Sequence, residues 1–87
     1  MQTAKPDPVL AAVVRGVREA QGTTREALAF RTGITVGSLA RIELAQSCPS
    51  WGTVKRIAAA LDMRVSELAA MTEAQSSSPA ISVSDQR

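Results

Sequence analysis

Apolar residues in this chain recur at three- and four-residue spacing and do not alternate, which predicts helices and no strands. Leu10, Val14 and Val17 form the buried stripe of a first helix. Asp7-Pro8 opens it, with Asp as cap and Pro in the first turn, and Gly22 stops it after Gln21. Thr23 or Thr24 caps a second helix, in which Leu28 and Ala29 face inward and which Gly33 ends. Ile34 plugs the turn. Thr35 then caps a third helix at 36–44, with Leu39 and Ile42 pointing into the body and Val36, Gly37, Ala40 and Arg41 pointing outward. After a polar connection from Ala45 to Ser50 that contains Pro49, Ser50 caps a fourth helix. Trp51, Val54, Ile57, Ala58 and Leu61 lie on one face of it, and Asp62-Met63 breaks it. A fifth helix, Val65 to Met71, buries Val65 and Leu68, with Met71 a further candidate; Arg64 makes a weak cap because it accepts no hydrogen bond. Residues 1–6 read as a loose arm. From Thr72 the composition shifts to serine and loses periodicity, so 72–87 reads as a tail disordered in isolation.

With 87 residues the chain holds one small domain, 7–71, near the lower end of what folds alone. Apolar residues make up 45% but aromatics only 2%, so the core is Ala, Val, Leu and Ile, which suits packed helices. The net charge of +2 says less than its placement. From Arg15 to Arg41 the bases are Arg15, Arg18, Arg25, Arg31 and Arg41, against only Glu19 and Glu26. A basic excess on a helical domain is what a phosphate-binding face needs, although a solvated charged surface would look the same. Cys48 is the one cysteine and there is no histidine, so neither an internal disulfide nor a Cys/His metal cluster is expected, and no cofactor. A reducing cytosol fits. No apolar run approaches the ~20 residues of a transmembrane helix, and no signal peptide is visible. The serines have no neighbouring base, which argues against an enzyme.

Two short helices joined by a tight turn, 24–33 and 35–44, make a helix-turn-helix unit whose second helix enters the major groove of DNA. The ordered set around that unit resembles the lambda-repressor-like (XRE/Cro) helix-turn-helix domain. The residues that carry the resemblance are Val14, Val17 and Arg18; Gly22 and TREALA at 24–29; Gly33-Ile34-Thr35; Leu39, Ile42 and Glu43; Pro49; and IAAALDM at 57–63 with Glu67-Leu68. It spans about Leu10 to Met71 and implies an all-α, compact five-helix fold that binds double-stranded DNA.

The resemblance also implies roles. Arg18 and Glu43 match an ion pair that ties the first helix to the end of the third. Arg25, usually a glutamine, stands where the first turn of the second helix reaches a phosphate, next to Thr24 at that helix's N-terminus. Thr35, Val36, Gly37, Ser38 and Arg41 match positions that meet phosphate and bases, and Gln46 and Ser47 lie in a loop that often touches the backbone. Three departures stand out. Val36 and Gly37 replace long polar readers, which leaves Arg41 as the best candidate for a base contact, bidentate to guanine. Ala45 replaces the usual glycine after the third helix.

The sequence reading is a bacterial-type transcriptional regulator, repressor in preference to activator, cytoplasmic and nucleoid-associated. It is expected to act as a homodimer through the fourth and fifth helices and the 45–50 loop. The alternative is a protein-interaction module of the same fold, an antitoxin or transcription adaptor, with the tail as the partner-binding segment. Phe30 lies off the inward stripe, either as an ordinary exposed residue or as a partner contact. Trp51 reads as core or rim packing, and Cys48 as an incidental thiol.

Overall fold

A computed structural model describes residues 7–84; residues 1–6, expected as an arm, and 85–87 of the expected tail lie outside the described residues. Five helices follow in order: α1 (Pro8–Ala20), α2 (Arg25–Thr32), α3 (Val36–Glu43), α4 (Trp51–Ala60) and α5 (Val65–Ser84).

Side-chain caps set most of the helix starts. Asp7 accepts the N–H groups of Val9 and Leu10 at 3.0 and 3.1 Å. Thr24, not Thr23, caps α2 by accepting the Ala27 N–H at 3.0 Å. Thr35 does the same for Ser38 at 3.0 Å and Ser50 for Thr53 at 3.1 Å. At α5 the direction is reversed: Glu67 reaches back and accepts the Arg64 N–H at 2.8 Å, half of a capping box, so the start lacking a cap side chain is still tied down.

Gly22 and Gly33 end α1 and α2 in the left-handed region, at φ +68° and +81°. After α3 and α4 the same conformation falls on Ala45, φ +58°, and Asp62, φ +61°, where a Cβ makes it costly. The turn after α3 therefore keeps the shape a glycine would give, with strain at Ala45.

The core is Val13, Val14, Leu28, Ala29, Leu39, Ile42, Ile57, Ala58, Leu61 and Leu68. α2 packs on α3 and α4, while α1 and α4 receive α5. Val13 and Ala11 are buried, whereas Leu10 and Val17 are only half-buried, so α1 is rotated slightly from its expected stripe. Trp51 is not part of the buried face of α4: it is 61% exposed, because the first residue of the helix lies beyond the reach of the core. Met71 is also exposed. α5 runs past Met71, the end expected from the sequence, through residues 72–84 of the segment expected to be a disordered tail. Leu68 docks the helix, and further residues other than Pro79, which has no N–H, can then add hydrogen bonds without a new nucleation step. Composition alone does not register that advantage.

Candidate nucleic-acid interface

α3 separates two chemistries on eight residues. Leu39, Ile42 and Glu43 are buried, while Val36, Gly37 and Arg41 are exposed and Ser38 and Ala40 half-buried. Three- and four-residue spacing places the first set against α2 and the second on the opposite face. The outer face is thin in side chains. A Cβ built at Gly37 would lie 3.8 Å from Nη1 of Arg41 and 4.0 Å from Oγ1 of Thr35, so the guanidinium lies across the bare helix surface. Arg41 Nη2 also approaches Ser38 Oγ at 3.5 Å, a long contact that fixes it weakly.

The N-termini of α2 and α3 carry backbone donors. An α-helix cannot pair its first N–H groups internally. Thr24 and Thr35 take those of the third residues and leave the N–H groups of Arg25, Glu26, Val36 and Gly37 for water or an anion. Thr24 and Thr35 are themselves exposed. Gln46 is exposed and Ser47 half-buried, in the turn after α3 where the Gln46 N–H donates to the Arg41 carbonyl at 2.7 Å.

Behind this face lies a buried charge cluster. Arg18 donates to Glu43 through Nε at 2.7 Å and Nη2 at 3.0 Å, and its Nη1 donates to the Thr23 carbonyl at 3.0 Å. The Glu43 side chain is fully buried. Its hydrogen bond, outweighing the desolvation that acts the other way, pushes the Arg18 guanidinium above its ordinary range. Arg25 joins the same carboxylate, with Nε 3.1 Å from Oε1. One carboxylate thus ties the starts and ends of three helices together. The Arg25–Glu43 contact spans 18 residues in sequence, and no local signal announces it.

The basic excess seen in the sequence is partly paired, Arg18 inside the fold and Arg15 at the surface. Arg15 pairs with Glu19 at 3.0 Å and Arg18 with Glu43. Arg31 and Arg41 form no ion pair among the described residues, and Arg25 shares its acid with Arg18. Of the arginines from 15 to 41, Arg25, Arg31 and Arg41 keep positive charge available to a ligand.

Residues 14–68, from the middle of α1 to Leu68 of α5, match the model of the helix-turn-helix family HTH_3. The chain belongs to this family. Among curated proteins none matches it by sequence. Among solved structures, the HTH_3 chain is similar to the restriction-modification controller protein C.AhdI from Aeromonas hydrophila. The two share 30% identity over 70% of this chain and 92% of that one, with a TM-score of 0.68. It is similar in fold to the clp gene regulator ClgR from Corynebacterium glutamicum, at 21% identity over 88% and 82% of the two chains and a TM-score of 0.79. An HTH_3 family transcriptional regulator from Vibrio cholerae shares 28% identity over 72% of this chain and 35% of that one, with a TM-score of 0.68. Family and fold together support DNA-binding transcriptional regulation. No helix among the described residues is long and apolar enough to cross a membrane.

Proposed function

We propose that this protein is a sequence-specific, double-stranded DNA-binding regulator that places α3 in the major groove. The observation that carries the reading is the division of α3: a capped helix locked to the core by Leu39 and Ile42, with Val36, Gly37 and Arg41 on its exposed face. A helix so held can enter a groove as a rigid body. Arg41 is the base reader, Val36 contacts a thymine methyl, and the missing side chain of Gly37 permits close approach. Thr24, Arg25, Thr35 and Ser38 hold phosphates, as do Gln46 and Ser47 in the turn that follows.

The likeness to a restriction-modification controller supports a regulatory role in a cell of bacterial type, and repression is the simpler outcome for a domain that occupies an operator. Two copies would bind half-sites about one helical turn apart. Their shared surface is the apolar groove of ≈ 230 Å³ lined by Leu10, Trp51, Val54, Val65 and Leu68, with the exposed Trp51 at its rim. The comparisons give no support to a protein partner bound through the tail.

The deciding experiment is selection of bound duplexes from a randomised library at near-physiological salt. An enriched palindrome is expected, and its spacing would report the separation of the two copies of α3. Absence of enrichment, with binding lost at moderate salt, would overturn sequence-specific recognition and leave charge attraction alone.

A further inference from the structure

Glu43 accepts three hydrogen bonds from two arginines, and the two arginines are used differently. Arg18 is spent: Nε and Nη2 go to Glu43, Nη1 goes to the Thr23 carbonyl, and its side chain is 10% exposed. Arg25 gives Glu43 only Nε, and its side chain is 32% exposed. A guanidinium has five N–H donors. Among the described residues no acceptor takes the four on the terminal nitrogens of Arg25. Arg18 also lies 3.8 Å from Glu19, which Arg15 pairs, so the linked set holds three arginines and two carboxylates; one positive charge remains, and Arg25 shares its only acid with Arg18. A phosphodiester carries one negative charge and two oxygens that a terminal fork can grip side by side. Arg25 also stands at the first residue of α2, beside backbone N–H groups that favour the same anion.

We infer that Glu43 is a positioning residue for the phosphate contact: by holding Arg25 through Nε it presents the two terminal nitrogens together to one backbone phosphate. The inference rests on the DNA-binding reading above. Arg25 without Glu43 is a long side chain that must be ordered when the complex forms. Arg25 on Glu43 is ordered beforehand, and Glu43 is itself fixed by Arg18. The buried pair between α1 and α3 is thereby linked to the surface contact made from α2.

The roles of charge and of geometry predict opposite signs. As a negative charge near DNA, Glu43 would weaken binding, and Glu43→Gln would tighten it. As a positioning residue, its loss weakens binding. The test is a double-mutant cycle of R25A and E43Q, read as affinity for a random-sequence duplex pool across a salt series, with folding at the assay temperature checked by circular dichroism. R25A is expected to flatten the salt slope by about one unit. E43Q is expected to weaken binding about tenfold and flatten the slope similarly, because a single amide oxygen cannot replace the two carboxylate oxygens that serve Arg18 and Arg25, and its NH2 would face a guanidinium donor, so the hold on Arg25 is lost. In the R25A background E43Q is expected to add nothing. Binding by E43Q that equals or exceeds wild type, or an E43Q loss that is the same with and without Arg25, would overturn the inference. If E43Q does not fold, R25K decides: it keeps the charge and leaves Arg18–Glu43 intact, yet lacks the fork. An about tenfold loss in R25K supports positioning; wild-type affinity overturns it. A wild-type chain that fails to bind duplex would overturn the DNA reading and this inference together. A wild type that binds while the variants behave as charge alone predicts would overturn only the inference.

Discussion

Arg41 lies across Gly37 on the exposed face of α3 and is held there only by a 3.5 Å contact to Ser38. A guanidinium so loosely fixed can turn into the groove at little cost. Arg41→Ala should cost about 1–3 kcal/mol on the best site and relax preference at one base pair, measured by selection with both proteins. Equal losses on selected and random duplexes would rule out base reading there. Ala45 poses a separate question at the same scale. Its φ of +58° imposes strain of about 1–2 kcal/mol on a residue with a Cβ, while glycine raises the entropy of the unfolded chain by about 0.4–1 kcal/mol. The difference favours Ala45→Gly by about 0.5–1 kcal/mol. A thermal melt should show it as a rise, on the order of 4–8 °C per kcal/mol for a domain of this size. Asp62, at φ +61°, should gain less, because aspartate tolerates this region better than alanine.

Among the elements, α1 to α4 were legible because their signals are local. Asp7, Thr24, Thr35 and Ser50 each accept an N–H two or three residues downstream, and such spacing can be read directly from a string of letters. α5 begins at Val65 as the spacing predicts, but what ties that start down and where the helix ends were not legible. Its start depends on Glu67 bonding back to Arg64, a box with its forward half missing. Its length depends on being docked at Leu68, which only the assembled core supplies. The candidate interface divides along the same line. The two faces of α3 follow from helical spacing, whereas the attachment of Arg25 to Glu43 depends on how three helices meet. Glu67→Ala should lower stability by about 0.5–1.5 kcal/mol in chemical denaturation, and Glu67→Gln should retain most of it, because an amide oxygen also accepts from the Arg64 N–H. Equal losses in both variants would show that charge, not the hydrogen bond, matters at this helix start.

For the molecule as a whole, small size sets the terms. A core of Ala, Val, Leu and Ile in so short a chain leaves a narrow margin of stability, and a single module buries little surface on DNA. The proposed pairing of two copies would address both limits. Trp51 is the chain's only tryptophan and is 61% exposed at the rim of the α1–α4–α5 groove, so it reports directly on that surface. Its emission should shift to shorter wavelength as protein concentration rises through the dimerisation range, in step with the mass from sedimentation equilibrium. Trp51→Ala should move that transition to higher concentration, because truncating a large aromatic that becomes buried on pairing commonly costs about 1–2 kcal/mol or more. A mass that rises without any spectral shift would place the interface elsewhere.

The bareness of Gly37 has one more consequence. A Cβ there would meet only Arg41 and Thr35, both at ordinary van der Waals distance and neither part of the core. Alanine or an unbranched side chain would also relieve up to about 1 kcal/mol of glycine's penalty in a helix. New lettering can therefore be added to the reading surface without disturbing Leu39, Ile42 or Glu43 beneath it. On the proposed docking of α3, single substitutions at position 37 would change the surface offered to DNA while leaving the fold no weaker.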